Sequence, residues 1–112
     1  MRARAITGNY HVTGQLKAKD MADVAREGFS AVICMRPDGE GFFQPKYAEI
    51  ETAAKAAGLT CHYLPVGGSH SPITQAPKLK KILSVTDGKV LAFCASGGRC
   101  ASLYQLALQA GA

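Results

Sequence analysis

The sequence predicts a single α/β domain in which helices flank a mainly parallel central sheet of about four to five strands. Short apolar segments alternate with helical segments of about ten residues along the chain, and this alternation is typical of βαβ units. The 112 residues suffice for one hydrophobic core, and no linker or internal repeat divides them. We therefore expect one domain over residues 1–112.

Each element is predicted from its own local pattern. Apolar, strand-like segments are found at 10–16, 30–35, 60–66 and 89–93. Helical spacing of apolar residues is found at 19–27, at 46–57, from 74 to the turn at 87–88, and from 99 onward. Thr74 is the expected N-cap of the third helix, which would place Pro77 in a first turn that tolerates proline.

Charge and hydropathy exclude several classes of partner. The net charge is +5, but the basic residues are dispersed and cluster only at 78–81, on an expected solvent-exposed helix face. A basic surface that binds nucleic acid is therefore the less favoured interpretation, and we expect no nucleic-acid partner. No apolar run approaches the roughly 18 residues of a membrane span, and none follows the basic N-terminus as in a secretory signal. A cytoplasmic location is the default expectation.

The four cysteines indicate neither a metal site nor a disulfide framework. They lack Cys-x-x-Cys spacing and a paired histidine motif, so we expect no metal and no cofactor. Cys34 and Cys61 lie inside apolar segments and are expected to be small buried hydrophobic residues. Scattered thiols of this kind suit a reducing compartment.

The predicted catalytic centre is the loop that joins the last strand to the last helix, Cys94-Ala95-Ser96-Gly97-Gly98-Arg99. Small residues there allow successive backbone N–H groups to point inward as an anion-binding nest, and the helix N-terminus adds partial positive charge. Arg99 offers a planar fork for an oxyanion. In such a field a thiol pKa falls to about 3.5–7.5, which predicts a Cys94 thiolate. The alternative is a tight turn that merely ends a buried strand.

Two other loops are expected beside this cysteine, because ligands of parallel sheets bind at the carboxyl ends of the strands. One carries Arg36 and Asp38, which either line the site or form a local ion pair. Alternatively, Asp38 could hold the Arg99 side chain in position without contacting the substrate itself. The other contains His70, either an exposed loop residue or a substrate contact.

Loop length separates two kinds of chemistry. Protein tyrosine and dual-specificity phosphatases place five residues between cysteine and arginine, whereas four residues separate Cys94 from Arg99, as in rhodanese-type sulfurtransferases. The loop at 67–71 also lacks the acid that a phosphatase uses to protonate its leaving group. We therefore predict a sulfurtransferase that carries a persulfide on Cys94, between a small-molecule sulfur donor and a thiol acceptor. The alternatives are a cysteine-dependent phosphatase and a non-catalytic oxyanion-binding module.

Three motifs carry a family resemblance over nearly the whole chain, and they lie at 12–16, 32–40 and 94–99. The sequence resembles the bacterial sulfur-transferase domain found alone or at the front of beta-lactamase-hydrolase-like proteins, a domain with a dual-specificity-phosphatase-like fold. The resemblance implies Cys94 as nucleophile, Arg99 as anion clamp, and a turn at 36–38 that lines or buttresses the site. It also implies a fused or associated persulfide dioxygenase, or another sulfide-oxidising enzyme, as partner.

The chain departs from this family at one position in the loop and at the position directly after it. Ala95 stands where the family usually has arginine, which makes low-molecular-weight persulfides better donors than thiosulfate. Cys100 stands where the family has serine. It either resolves a persulfide or sulfenate on Cys94 by forming a disulfide, or fills the same small space.

Overall fold

In the computed structural model, which describes residues 2–109, a five-stranded sheet is flanked by four helices in a single α/β domain, as predicted. Met1 and residues 110–112 lie outside the described part, so the domain bounds 1–112 stay a prediction. No helix within 2–109 is long and apolar enough to cross a membrane. The strands are β1 (Arg4–Ala5), β2 (Tyr10–Thr13), β3 (Phe29–Cys34), β4 (Thr60–Tyr63) and β5 (Lys89–Phe93). The helices are α1 (Met21–Arg26, after a 3-10 turn at Ala18–Asp20), α2 (Tyr47–Ala56), α3 (Pro72–Val85) and α4 (Gly98–Gln109).

The strand order β1-β2-β5-β3-β4 brings the predicted loops to one edge of the sheet. Strands β2, β5, β3 and β4 are parallel, and β1 alone runs antiparallel to β2. Phe93 at the end of β5 is in register with Thr13 of β2 and Cys34 of β3, and Cys34 is in register with Tyr63 of β4. The carboxyl ends of the four parallel strands therefore meet, and the loop that starts at Cys94 lies at the centre of that edge.

Alternating side chains of the sheet divide the core into two layers. Ile33, Ala92 and Cys94 face the layer formed by α3 and α4, whereas Leu91 and Phe93 face the layer of α1 and α2. All five are at most 1% exposed. Burying an aliphatic or aromatic side chain contributes about 1.5–3 kcal/mol, so the central strands are the most firmly held part of the fold. The site therefore rests on a rigid platform.

Helix α3 begins earlier than the sequence patterns indicate. Its N-cap is Ser71, whose Oγ accepts a hydrogen bond from the backbone N of Ile73 at 3.2 Å, and not Thr74. Pro72 occupies the first turn, where its missing N–H costs nothing. Pro77 consequently lies inside the helix. The expectation failed because two serines and a threonine compete for one cap and the spacing of apolar residues does not rank them.

The two sheet edges also differ from the prediction. Strand β1 is only two residues long, too short to leave a sequence pattern, and β4 ends at Tyr63 and not at Val66. Because β4 is an edge strand, Cys61 is only half-buried, whereas Cys34 in the neighbouring interior strand is 3% exposed. The prediction of a small buried hydrophobic residue therefore holds for Cys34 and is wrong for Cys61.

Candidate active site

The loop after β5 wraps its backbone around the sulfur of Cys94. The backbone N of Gly97 donates to Sγ at 3.0 Å, and the backbone N–H groups of Ser96 and Cys100 also hydrogen-bond the sulfur. Gly97 has φ +92°, and a Cβ added there would lie 3.3 Å from the carbonyl oxygen of Thr13. Only glycine fits this position without strain, so the sequence determines the curl of the loop here.

These contacts make Cys94 a thiolate at neutral pH. The hydrogen bond from the Cys100 thiol is the largest cause, the backbone N–H groups add to it, and burial opposes them, so that the pKa of Cys94 falls to about 5. For comparison, burial raises the pKa of Cys34, which lacks such a loop, to about 12. Cys94 is 1% exposed, so its sulfur is largely shielded from solvent. The site thus contains a shielded nucleophile in its reactive form.

Cys100 lies in the first turn of α4 and is 0% exposed. Its hydrogen bond to the Cys94 sulfur, together with burial, raises the pKa of Cys100 far above its usual range, so Cys100 stays protonated and acts as the donor. The Tyr10 hydroxyl donates to the backbone carbonyl of Cys100 at 2.9 Å and ties this turn to β2. Cys100 therefore contacts the nucleophile directly.

Arg99 is held on one edge of its guanidinium. Nη1 and Nη2 donate to the two carboxylate oxygens of Glu40 at 2.8 and 2.6 Å, and Nη1 also donates to the carbonyl oxygen of Val66 at 2.9 Å. A guanidinium has five N–H donors, so these three bonds leave Nε–H and one Nη2–H, which share an edge and have no partner among residues 2–109. That edge has the bidentate geometry that an oxyanion needs.

Glu40 connects two arginines and was missed by the sequence analysis, although it ends the motif at 32–40. Arg36 Nε donates to Glu40 Oε1 at 3.0 Å, while Arg36 Nη1 donates to Gln15 Oε1 at 3.1 Å. The hydrogen bond from Arg99, and secondly that from Arg36, lowers the pKa of Glu40, so this carboxylate is ionised at neutral pH. Arg36 thus reaches the site through Glu40.

Asp38 lies away from the roles considered for it, whereas His70 is an exposed loop residue, the first of its two interpretations. The Asp38 carboxylate accepts the backbone N–H of Tyr47 at 2.8 Å, at the start of α2, and its backbone N–H donates to the Tyr63 hydroxyl at 2.9 Å. A helix N-terminus offers unpaired N–H groups and partial positive charge, which attract a carboxylate. The position beside Arg99, which was one alternative for Asp38, is taken by Glu40. His70 is exposed, and its backbone pairs with Gly67 in a tight loop.

The remaining predicted loop residues form the rim of the site. Ala95, Ser96 and Gly98 are exposed, whereas Gly97 is buried beneath them. The Ser96 hydroxyl accepts a hydrogen bond from the backbone N of Gly98 at 3.4 Å, at the start of α4. Ala95 brings no charge to the rim, so Arg99, with Arg36 behind Glu40, supplies the positive charge near the sulfur.

This fold and this thiolate-containing loop define a cysteine-dependent, phosphatase-like domain. A family model described as the phosphatase-like domain of the beta-lactamase hydrolase-like protein matches residues 2–112, and the chain belongs to that family. A curated relative, the beta-lactamase hydrolase-like protein of Xylella fastidiosa strain 9a5c, is 33% identical over 106 residues. These residues are 95% of this chain and 25% of the relative, so the chain spans about a quarter of that protein's length.

Solved structures point in the same direction. A provisionally described phosphatase from Neisseria meningitidis superposes with a TM-score of 0.80 at 29% identity, covering 89% of this chain and 71% of that chain. Tk-PTP in its active form superposes with a TM-score of 0.65 at 19% identity, covering 96% and 80%, which shows a shared fold alone. The predicted family and phosphatase-like fold are confirmed. The similarities favour the phosphatase alternative and give no specific support to sulfur transfer.

Proposed function

We propose that this domain is a cysteine-dependent phosphatase that acts through a cysteinyl-phosphate on Cys94. The observation that carries the proposal is the Cys94 thiolate, with a pKa of about 5, which accepts backbone N–H groups of a loop that ends at Arg99, an arginine with one free guanidinium edge. Such a cradle binds an oxyanion and presents its central atom to the sulfur. The family and the Neisseria structure support a phosphatase over the other two candidates.

The mechanism has two displacements. The thiolate of Cys94 attacks the bound phosphorus, an S–P bond forms, and the bond from phosphorus to the leaving-group oxygen breaks, so that the leaving group departs as an anion. Water then attacks phosphorus, the S–P bond breaks, and inorganic phosphate leaves as the thiolate is restored. The free edge of Arg99 and the N–H groups of the loop stabilise the charge on the equatorial oxygens in both steps.

The leaving group determines which esters are good substrates. Glu40 is the carboxylate bonded to Arg99, and it is ionised, so it does not donate a proton to the departing oxygen. The loop at 67–71 carries no aspartate or glutamate. We therefore propose substrates whose leaving groups are stable as anions, such as aryl and acyl phosphates, over simple alkyl phosphates.

Persulfide transfer is the second candidate, because the four-residue spacing of the loop is that of rhodanese-type sulfurtransferases and the reaction does not need the proton donor that the loop at 67–71 lacks. In that reaction Cys94 attacks the outer sulfur of a persulfide, a new S–S bond forms, and the donor leaves as a thiolate. No leaving-group proton is needed. A persulfide-oxidising partner enzyme is proposed only together with this second function.

The experiment compares both activities on the same protein. We expect hydrolysis of p-nitrophenyl phosphate by the wild type, its loss in Cys94→Ser, and a large reduction in Arg99→Ala. Cys61→Ser, which changes a thiol on the edge strand β4, is the matched control and should keep the activity. Cyanide-dependent sulfur release from thiosulfate and from glutathione persulfide is measured in parallel.

Two results would contradict the phosphatase. Sulfur transfer that depends on Cys94, without phosphatase turnover, would establish the second candidate. If the protein shows neither activity but binds phosphate, and Arg99→Ala abolishes that binding, the domain is a non-catalytic oxyanion-binding module.

A further inference from the structure

The four cysteines of this protein lie in two pairs, one pair on each face of the sheet. Cys94 and Cys100 pack in the core layer of α3 and α4. Cys34 and Cys61 pack in the opposite layer, against α1 and α2. Within residues 2–109, Cys100 is therefore the only thiol on the same side of the sheet as the Cys94 sulfur.

Cys94 and Cys100 are fixed against each other. The thiol of Cys100 hydrogen-bonds the sulfur of Cys94, and both cysteines are free and at most 1% exposed. The Gly97 N–H at 3.0 Å from Cys94 Sγ sets the position of one sulfur. The bond from the Tyr10 hydroxyl to the Cys100 carbonyl, 2.9 Å long, holds the turn that carries the other. One member of this pair is an ionised nucleophile and the other a protonated thiol.

We propose that Cys94 and Cys100 form a reversible disulfide when a hydroperoxide enters the anion-binding loop. This makes the pair an oxidation site beyond the hydrolytic function. The chemistry needs only the reactive thiolate and its neighbour, so it does not depend on which group the domain transfers.

The reaction proceeds in two steps. The Cys94 thiolate attacks the outer oxygen of the hydroperoxide, an S–O bond forms, and the O–O bond breaks to release an alkoxide that takes a proton from water. Cys100 then attacks the Cys94 sulfur, an S–S bond forms, and the S–O bond breaks. The hydroxide leaves as water with the proton of Cys100. Two thiols are oxidised to one disulfide, and the hydroperoxide is reduced by two electrons.

The disulfide has a protective consequence. It removes the nucleophile and thereby stops turnover, but it also prevents further oxidation of the sulfenic acid to sulfinic and sulfonic acids, which thiols do not reverse. A thiol reductant restores both cysteines. A variant without Cys100 lacks this protection.

The test is a peptide map of wild-type protein treated with stoichiometric hydrogen peroxide, followed by mass spectrometry. We expect a cross-link between Cys94 and Cys100, with a mass lower by two hydrogens, that dithiothreitol reverses together with phosphatase activity. Cys34→Ser is the matched control and should form the same cross-link. In Cys100→Ser we expect sulfinic and sulfonic acid at Cys94, which dithiothreitol does not reverse.

Other outcomes would overturn the proposal. A cross-link from Cys94 to Cys34 or Cys61, or wild-type Cys94 that is overoxidised without any cross-link, contradicts it. Because the mass readout is taken on wild-type protein and needs no turnover, an inactive phosphatase would not affect it. The two proposals therefore fail separately.

Discussion

The chemistry of Cys94 depends on a few neighbouring groups and not on exposure. Burial alone raises a thiol pKa, as at Cys34, yet the pKa of Cys94 falls to about 5 because hydrogen bonds to its sulfur outweigh burial. The largest of them comes from Cys100. Replacing that one side chain should therefore change the ionisation of the nucleophile.

Cys100→Ala should raise the pKa of Cys94, because it removes the strongest donor to the thiolate. The rate of alkylation by iodoacetamide follows the thiolate fraction, so in the wild type it should be constant at neutral pH and fall below a midpoint near pH 5. In Cys100→Ala the midpoint should lie at higher pH, whereas in Cys100→Ser it should stay at or below that of the wild type, because a hydroxyl is a stronger hydrogen-bond donor than a thiol. An unchanged midpoint in Cys100→Ala would show that the thiol contact does not ionise Cys94.

Glu40→Gln should weaken the site through Arg99. The substitution replaces a charge-assisted pair of hydrogen bonds by a single neutral acceptor, so the guanidinium loses its fixed orientation. We expect kcat/KM for p-nitrophenyl phosphate to fall about tenfold, equivalent to about 1.4 kcal/mol of transition-state stabilisation. Glu27→Gln, at the exposed end of α1, is the control. Equal or higher activity in Glu40→Gln would mean that the carboxylate competes with substrate and does not position Arg99.

At the scale of elements, the junction between β5 and α4 determines the loop. Gly97→Ala and Gly58→Ala both place a side chain at positive φ, at +92° and +84°, and each should cost about 1–2 kcal/mol of unfolding free energy. The Gly97 variant should lose more, because its Cβ would lie 3.3 Å from the Thr13 carbonyl oxygen, whereas nothing lies within 4 Å at Gly58. Urea denaturation measures both.

Only Gly97→Ala should also lose p-nitrophenyl phosphate hydrolysis, because it displaces the N–H that faces the sulfur. Gly58 lies between α2 and β4, away from the loop. Equal losses of activity in the two variants would contradict the role of the Gly97 N–H in the anion-binding loop. Full activity in Gly97→Ala would contradict it as well.

The sequence predicted the elements around the nucleophile better than their long-range contacts. The order of strand, cysteine, small residues and arginine is local, and local geometry follows from residues close in the chain. Glu40 meets Arg99 across 59 positions, and nothing in the spacing ranks it above Asp38. The start of α2 decides between them, because the Asp38 carboxylate accepts the backbone N–H of Tyr47, the first residue of that helix. Such competition is visible only once the elements are packed.

At the scale of the whole molecule, the parallel order of the sheet was predictable because helices separate the strands, and connections between parallel strands require such crossovers. The two edges were not predictable from the same patterns. Strand β1 is two residues long and exposed, so it leaves no apolar pattern. The edge position of β4 also explains why Cys61 is only half-buried.

Inorganic phosphate should stabilise the whole domain through the loop. A ligand that binds only the folded state at a hundredfold excess over its Kd raises the unfolding free energy by about 2.7 kcal/mol. We expect this rise in thermal unfolding of the wild type and its loss in Arg99→Ala. Arg26→Ala, which removes an exposed arginine paired with Asp23 at 2.8 Å, is the control and should keep it. The same rise in Arg99→Ala would place the anion elsewhere.

The central claim is that Cys94 carries a phosphoryl group during turnover. Wild-type protein mixed with p-nitrophenyl phosphate, quenched rapidly in denaturant and digested, should give a phosphate adduct on the peptide that contains Cys94. The adduct should be absent from Cys94→Ser. A wild-type protein that hydrolyses the ester without this adduct, or a Cys94→Ser variant that keeps turnover, would contradict the claim.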